Sequence, residues 1–234
     1  MFLSIIMPTY NEEANIGITI SHLLKYLKSD SFEIIVSDAV SSDNTCQIAI
    51  ELGVKVLVSP VKGRAGQMNH AVKQAKGGVF YFVHADSLPT PTFQNDIQKA
   101  IENGFDCGSF LTRFDSNRFI LKINAFFTRF NYLFFRGGDQ TIFITKSLWK
   151  KVGNYKEEML IMEDYDFLER IWNAGKFKLI SKTTLISARK YDENSWLTVQ
   201  LANLKVVNMY KKGASQSDMI TTYKQMLNYR KNAF

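Results

Sequence analysis

The chain has 234 residues, 46% hydrophobic and 22% charged, which suffices for one sizeable core and excludes disordered, collagenous and low-complexity classes. Its formal charge of +7 is gathered late, where Lys205, Lys211, Lys212, Lys224, Arg230 and Lys231 face one acid, Asp218. Such a patch suits anionic lipid, nucleic acid or a phosphorylated substrate, or is simply a solvated face. No nucleic-acid motif accompanies it, so no nucleic-acid partner is expected.

Two cysteines, Cys46 and Cys107, have no metal-ligand spacing and read as buried thiols of a reducing compartment. The N-terminus, "MFLSIIMPTY", lacks the basic start of a signal peptide. The aromatic stretch from Phe119 to Phe135 is broken by Lys122, Asn124, Arg129 and Asn131, so it is no membrane span. A soluble, cytoplasmic chain is expected, with peripheral contact at a membrane left open.

The elements alternate along the first hundred residues. "LSIIM" is a short strand closed by Pro8, followed by Ile16, Ile20, Leu23, Leu24 and Leu27 at helical spacing, with Asn11 as a plausible N-cap. "EIIVSD" is a second strand, and its helix runs from Asp43 to a Gly53 C-cap. "VKVLVS" is a third, then a loop "PVKGRAG" and a helix from Gln67 to Lys76; "VFYFVH" is the fourth. Near-continuous apolar strands alternating with amphipathic helices indicate a mostly parallel sheet covered on both faces. Beyond it, "CGSFLTRF" and "QTIFIT" read as strands around an aromatic helix from Asn117 to Phe135. "MEDYDFLERIWNAGK" reads as a helix, "FKLI" and "TLISARKY" as two short strands, and Trp196–Tyr210 and Asp218–Tyr229 as helices.

Right-handed crossovers bring the carboxyl ends of parallel strands to one edge, where open α/β sheets bind ligands. Here those ends read "PTYNEE", "SDAVSSD", "SPVKGRAG" and "HADS". His84 and Asp86, two apart, would face the same way if the strand persisted through Asp86. One carboxylate at a strand tip suits Mg2+ or Mn2+ with substrate phosphates completing the shell, or else it caps the turn before Pro89. "KGRAGQMN" offers Lys62, Arg64 and a helix start to phosphates. It has no Walker spacing, and no G-x-G-x-x-G follows the first strand, which argues against P-loop and dinucleotide enzymes.

"IIMPTYNEEANI", "EIIVSDAVSSDNT", "GRAGQMNHAVKQAKGGVFYFVHADS", "GGDQTIFITKSLWKKVGNY" and "MEDYDFLERI" stand in the order seen in inverting family two glycosyltransferases. The chain resembles a small, soluble bacterial subgroup of that family, over roughly residues 4–191. The resemblance implies an α/β GT-A fold in one domain: a nucleotide-sugar half over residues 1–104, an acceptor and catalytic half over 105–191, and basic C-terminal helices over 192–234. It implies transfer of a sugar from a nucleotide-sugar, commonly a UDP-sugar, to an acceptor, small molecule or lipid, with Mg2+ or Mn2+.

Carried over by position, Pro8, Tyr10 and Glu12 match the first nucleotide motif, and Asp38 and Asp43 the acids of the second. Arg64 falls near the nucleotide or its phosphates, and Asp86 matches the last acid of the D-x-D metal motif, with His84 in place of the first. Ala39 and Val40 stand where the family often has small or glycine residues. Glu163 and Asp164 match the E-D pair, whose aspartate is the usual base; acids that merely favour a helix N-terminus are the plainer alternative. Asp139 and Gln140 would line the acceptor pocket, and Arg189 would support the leaving phosphates or form a structural salt bridge. No Q-x-x-R-W follows the E-D pair, so a non-processive, hexosyltransferase-type enzyme is implied. A non-catalytic nucleotide-sugar binder and a nucleotidyltransferase are the alternatives. The aromatic stretch and basic C-terminus either dock on an anionic bilayer, or fill the core and sit in solvent respectively.

Overall fold

Alternate residues of the first apolar run divide between two cores. The computed structural model describes residues 1–28, 31–132, 135 and 140–227. Strand β1 (Leu3–Thr9) sends Leu3, Ile5 and Met7 to one face and Ile6 to the other. Strand β4 (Val79–Phe82) does likewise, with Val79 and Tyr81 opposite Phe80 and Phe82. A period of two with both faces covered is why such strands read as unbroken apolar runs.

Strands β2 (Phe32–Asp38) and β3 (Lys55–Val58) extend β1 in parallel, and β4 pairs parallel with β1 on its other side. β5 (Ser87–Leu88), β6 (Cys107–Phe114), β7 (Ile142–Thr145) and β8 (Phe177–Ile186) complete a sheet of order β3-β2-β1-β4-β7-β6-β8-β5. β7 runs antiparallel between β4 and β6, β8 is parallel to β6, and β5 is antiparallel to β8. Helices α1 (Glu13–Tyr26), α2 (Thr45–Glu51) and α4 (Phe93–Glu102) bury Ile16, Ile20, Ala49, Phe93 and Ile97 on the Leu3 face. Helices α3 (Arg64–Gln74), α6 (Lys146–Val152) and α7 (Glu163–Ala174) bury Met68, Trp149, Phe167 and Ile171 on the Ile6 face. A smaller cluster joins α5 (Phe119–Phe127), α8 (Lys190–Glu193), α9 (Trp196–Lys211) and α10 (Gln216–Met226) through Leu121, Tyr191, Val199 and Ala202.

Several sequence expectations shift. Pro8 does not close β1, which continues to Thr9. The β1–β4 ladder has ended by then, at Ile6–Phe82, so the missing proline N–H forfeits no bond there. Asn11 is not the N-cap of α1: it is left-handed at φ 52°, and Glu12 holds the cap position. α3 starts at Arg64 rather than Gln67, because Gly63 at φ 109° makes the turn. "FKLI" and "TLISARKY" are not two strands, since β8 runs through both up to Ile186. The break heard in the sequence is a bulge, where Phe110 pairs with Ile180 and Leu111 with Thr183. The aromatic helix is shorter than expected, Phe119–Phe127, and its aromatics do not fill the core: Phe119 is 76% exposed, and Phe126 and Phe127 are exposed beside it. Cys107 is buried as expected, but Cys46 is only half-buried; burial pushes their thiols up to about 12 and about 11, away from reactivity at neutral pH.

Candidate active site

The carboxyl ends of β1, β2 and β4 form the floor of the site. Asp38, at the end of β2, is fully buried and accepts hydrogen bonds from Thr9 Oγ1 (2.8 Å), Ser41 N (2.7 Å) and Ser41 Oγ (2.6 Å). It ties the two strand ends beneath the loop. Asp43 is committed too: it accepts from Glu13 N at 3.1 Å and from Thr45 N at 3.0 Å, capping α1 and α2 together. Burial pushes its carboxyl up, but those bonds and the Thr45 hydroxyl outweigh it and hold it below the usual value. Pro8 is buried in the strand, and Tyr10 lies half-buried at its end. Between these ends Val40 is left-handed at φ 62°, which a β-branched residue rarely adopts. The resemblance puts small or glycine residues at this stretch, and the Val40 backbone explains a preference for glycine.

The "GRAGQMN" motif divides its work. Gln67 is buried and donates to Thr9 O at 2.6 Å and Ser37 O at 2.7 Å, locking α3 to both strand ends. Asn69 exchanges hydrogen bonds with the Tyr155 backbone at 2.9 and 3.0 Å. Gly66 is needed for close packing, since a Cβ would lie 2.7 Å from Val61 Cγ1. Sequence reading gave Gln67 and Asn69 no role; the signal was two amides on a helix that otherwise buries small and apolar residues.

Arg64, the first residue of α3, reaches not to open solvent but to α7. Its Nη2 lies 2.6 Å from Glu163 Oε1 and its Nη1 3.5 Å from Asp164 Oδ2. Both acids are buried, and they share the Arg64 guanidinium. Met162, just before them, is left-handed at φ 67°, and it swings the chain into α7 so that consecutive residues share the same cation. The third acid of that turn, Asp166, points elsewhere. It pairs with Lys156 at 2.7 Å and Arg170 at 2.8 Å, and Arg170 donates to the carbonyls of Val152 and Asn154. The plainer reading of helix-terminal acids thus fits Asp166, while Glu163 and Asp164 face a cavity.

A second guanidinium gathers another pair of acids. Arg189 donates to Glu12 Oε1 and Oε2, both at 2.8 Å, and its Nη2 also lies 2.8 Å from Asp86 Oδ2. Of the two readings of Arg189, the salt bridge is what the structure shows. The strand does not persist to Asp86: β4 stops at Phe82, and Ser87 N donates to His84 O at 3.1 Å, closing a turn. His84 and Asp86 are therefore not aligned by strand alternation.

A cavity of about 540 Å3 opens beside the E-D pair. It is lined by Arg64, Glu163 and Asp164, by Phe114, Phe127, Tyr191 and Tyr223, and by Trp196 and Gln200 of α9. Gln140 lines this cavity and donates to Phe135 O at 2.9 Å. Asp139 lies outside the described residues. The contribution of α9 escaped the sequence, because its residues carry no motif.

A divalent ion fits here only in one way. Among the described residues no group of three or more His, Cys, Asp or Glu could hold a metal, so there is no all-protein cage. Asp86, one-fifth exposed, offers a single carboxylate, and Arg189 faces it together with Glu12. That donor set suits a hard cation whose remaining ligands are phosphate oxygens.

With this geometry in view, the comparisons are consistent. Residues 4–151 match the model of Glycosyl transferase family 2. A dolichol-phosphate mannosyltransferase of Pyrococcus furiosus is 34% identical over 45% of this chain and 32% of its own length. A UDP-Glc:alpha-D-GlcNAc-diphosphoundecaprenol beta-1,3-glucosyltransferase, WfgD of Escherichia coli, is 39% identical over 37% and 35%. The chain thus spans about a third of the length of these curated relatives. Among solved structures, the mannosyltransferase PcManGT of Pyrobaculum calidifontis with GDP-Man and Mn2+ superposes with a TM-score of 0.70 at 18% identity, over 90% of this chain and 64% of that one. S. aureus TarS 1-349 with UDP-GlcNAc gives 0.67 at 19% identity, over 97% and 72%. The architecture is the GT-A fold, and the chain belongs to glycosyl transferase family 2.

Proposed function

We propose that this chain transfers a glycosyl group from a nucleoside diphosphate sugar to an acceptor hydroxyl, non-processively and with inversion at the anomeric carbon. The observation that carries this reading is the buried Glu163–Asp164 pair, held by Arg64 and facing a cavity at the carboxyl edge of the sheet. Asp164 takes the acceptor proton as the acceptor oxygen bonds to the anomeric carbon and the bond to the diphosphate breaks. Glu163 holds Arg64 in place and shares its charge. Asp86 is the residue that would hold a divalent ion, Mg2+ or Mn2+, which when bound stabilises charge on the departing diphosphate. Arg189 then keeps Glu12, so its second bond becomes available to the phosphates. Tyr10 borders the donor, while Pro8, Asp38 and Asp43 shape the loop that receives it. Donors named with similar structures are UDP-GlcNAc and GDP-Man, so UDP-sugars and GDP-sugars are the first to test.

A thermal-shift and calorimetric series with UDP, GDP and their sugars, with and without Mn2+, tests the donor half. Metal-dependent stabilisation by one of them is expected, and Asp86→Ala should abolish the metal dependence. His84→Ala should matter less, because imidazole is a poor ligand for Mg2+. The observation that Asp86 already has Arg189 as a partner favours a second reading, a non-catalytic binder. It predicts the same binding with neither transfer nor hydrolysis under any metal.

The membrane reading gains from the exposed Phe119, Phe126, Phe127 and Phe130, together with exposed Lys205 and Lys211 on the C-terminal helices. No helix of the described residues is long and apolar enough to cross a bilayer. Peripheral docking on anionic lipid therefore predicts co-flotation with anionic vesicles at low salt and its loss at high salt.

A further inference from the structure

The turn that leads into the Glu163–Asp164 pair is held by a side chain from the last helix. Leu160 and Ile161 lie between α6 and α7, outside any strand or helix. Both of their N–H groups donate to Gln216 Oε1, at 3.0 and 3.1 Å. An amide oxygen has two lone pairs, so one side chain satisfies both donors. Gln216 is the first residue of α10, which Ser215 caps by accepting from Asp218 N at 3.1 Å. Met219, three residues on and on the same helix face, packs with Ile161 and with Val206 of α9.

Contacts with the C-terminal helices therefore bracket the pair. Ile161 stands two residues before Glu163, in the cluster with Val206 and Met219. Tyr165, one residue after Asp164, meets the Tyr210 ring of α9 edge-on at 5.8 Å. Between Ile161 and the pair, Met162 is left-handed at φ 67°. For a non-glycine residue that conformation is costly, and it persists only where the surroundings impose it. Leu160 also reaches the start of α3: a Cβ added at Gly63, the residue before Arg64, would lie 3.4 Å from its Cδ2. One short turn thus touches α10 through its backbone and the start of α3 through a side chain.

We propose that Gln216 is a positioning residue for the Glu163–Asp164 pair: by accepting both amides it imposes the left-handed turn that sets the two acids against Arg64. The inference rests on the transferase reading for the chemistry of the pair. It adds a residue that does not line the cavity and acts on the pair through the turn. Without that acceptor, Leu160 and Ile161 turn to water and Met162 loses the bonds that hold its backbone. A displacement of about 1 Å at a reacting group is enough to cost about a hundredfold in rate.

The test compares wild type, Gln216→Ala and Gln216→Glu as full chains. Gln216→Ala removes the acceptor, whereas Gln216→Glu keeps an acceptor oxygen on a side chain of the same length. Amide exchange of Leu160 and Ile161 should quicken about five- to tenfold in Gln216→Ala, the usual worth of such a hydrogen bond. In Gln216→Glu it should return to within about twofold of wild type. Arg64→Ala should shift the urea midpoint of Gln216→Ala by no more than about half its shift in wild type, because the loosened turn already weakens that ion pair. Thr145→Ala, which uncaps α6 by removing the acceptor of Leu148 N, controls for lost stability alone. It should leave the Arg64→Ala shift in full. Additive midpoint shifts in Gln216→Ala, or exchange that Gln216→Glu fails to slow, would overturn the proposal. Release of UDP from UDP-GlcNAc, or of GDP from GDP-Man, with Mn2+ reports the transferase reading separately. Where wild type shows it, Gln216→Ala should slow it about tenfold with donor affinity within about twofold, and an unchanged rate would overturn the proposal. Its absence in wild type sinks the transferase reading and leaves exchange and midpoints to decide the positioning role.

Discussion

Arg189 grips Glu12 with two hydrogen bonds of 2.8 Å across 177 residues of sequence. The pair joins the start of α1 to the end of the sheet, and Asp86 shares the same guanidinium. Removing one member of a buried ion pair costs about 3–5 kcal/mol, and Glu12 would keep the Asn15 amide at 3.2 Å. Glu12 is 4% exposed but Arg189 is 29% exposed, so the lower end applies. Arg189→Met should therefore lower stability by about 3 kcal/mol. Arg189→Lys should recover only part, because an ammonium cannot fork across both oxygens. Urea midpoints of the three proteins check this, and a loss below about 1 kcal/mol in Arg189→Met would contradict it.

The Arg64 cluster makes a parallel prediction with a different sign of rescue. Arg64→Ala removes the cation that Glu163 and Asp164 share, and it should cost about 2–4 kcal/mol. Adding Glu163→Gln to it should restore part of that loss by removing one of the two repelling charges. A double variant less stable than Arg64→Ala would show that the coupling is not electrostatic.

Asp166 gives the pH dependence. Burial pushes its carboxyl up, yet the hydrogen bonds and charges of Lys156 and Arg170 outweigh burial and hold it below 3.8 in the fold. The native state then binds fewer protons than the unfolded chain near that pH. This stabilisation is fully present above the unfolded value and is lost as pH falls through the folded one. The stability gap between wild type and Asp166→Asn should stay level from about pH 7 to about 5 and shrink below about 4. Chemical denaturation across that range measures it, and a gap that widened on acidification would refute the assignment.

Val40 is exposed and left-handed, so its side chain adds little and its backbone is strained. The left-handed conformation costs an L-residue about 1–2 kcal/mol, against about 0.5–1 kcal/mol for the added freedom of glycine. Val40→Gly should raise stability by about 0.5–1 kcal/mol, or roughly 2 °C in melting temperature. Destabilisation would mean that the isopropyl group makes a contact outweighing the strain.

The parallel half of the fold was legible because its strands have two buried faces and its helices one: "IIM", "EIIV" and "VFYF" carry their own assignment. The converging polar strand ends were legible for the same reason. β8 was misread because Ser181 and Lys182 form a bulge, and Lys182 turns to Asp96 at 2.7 Å, which interrupts the alternation. The partners of the site's charges were not legible at all. Arg64 and Arg189 stood in plausible phosphate contexts, and only the fold reveals that each faces a pair of acids. Trp196 and Gln200 lie in a helix whose pattern is that of any half-buried helix, so a cavity wall there has no sequence signature.

The central claim is that Asp164 accepts the acceptor proton, and one comparison tests it most directly. The single-turnover release of nucleoside diphosphate from donor limiting to enzyme, with its metal and a saturating acceptor hydroxyl, is measured for wild type and Asp164→Asn, with donor affinity determined alongside. The substitution keeps the shape of the side chain and removes its capacity to take a proton. The account predicts unchanged donor affinity within about twofold and release slower by roughly two to four orders of magnitude, the usual worth of a general base. Release at near wild-type rate by Asp164→Asn would contradict it, and the proton would have to pass to another residue.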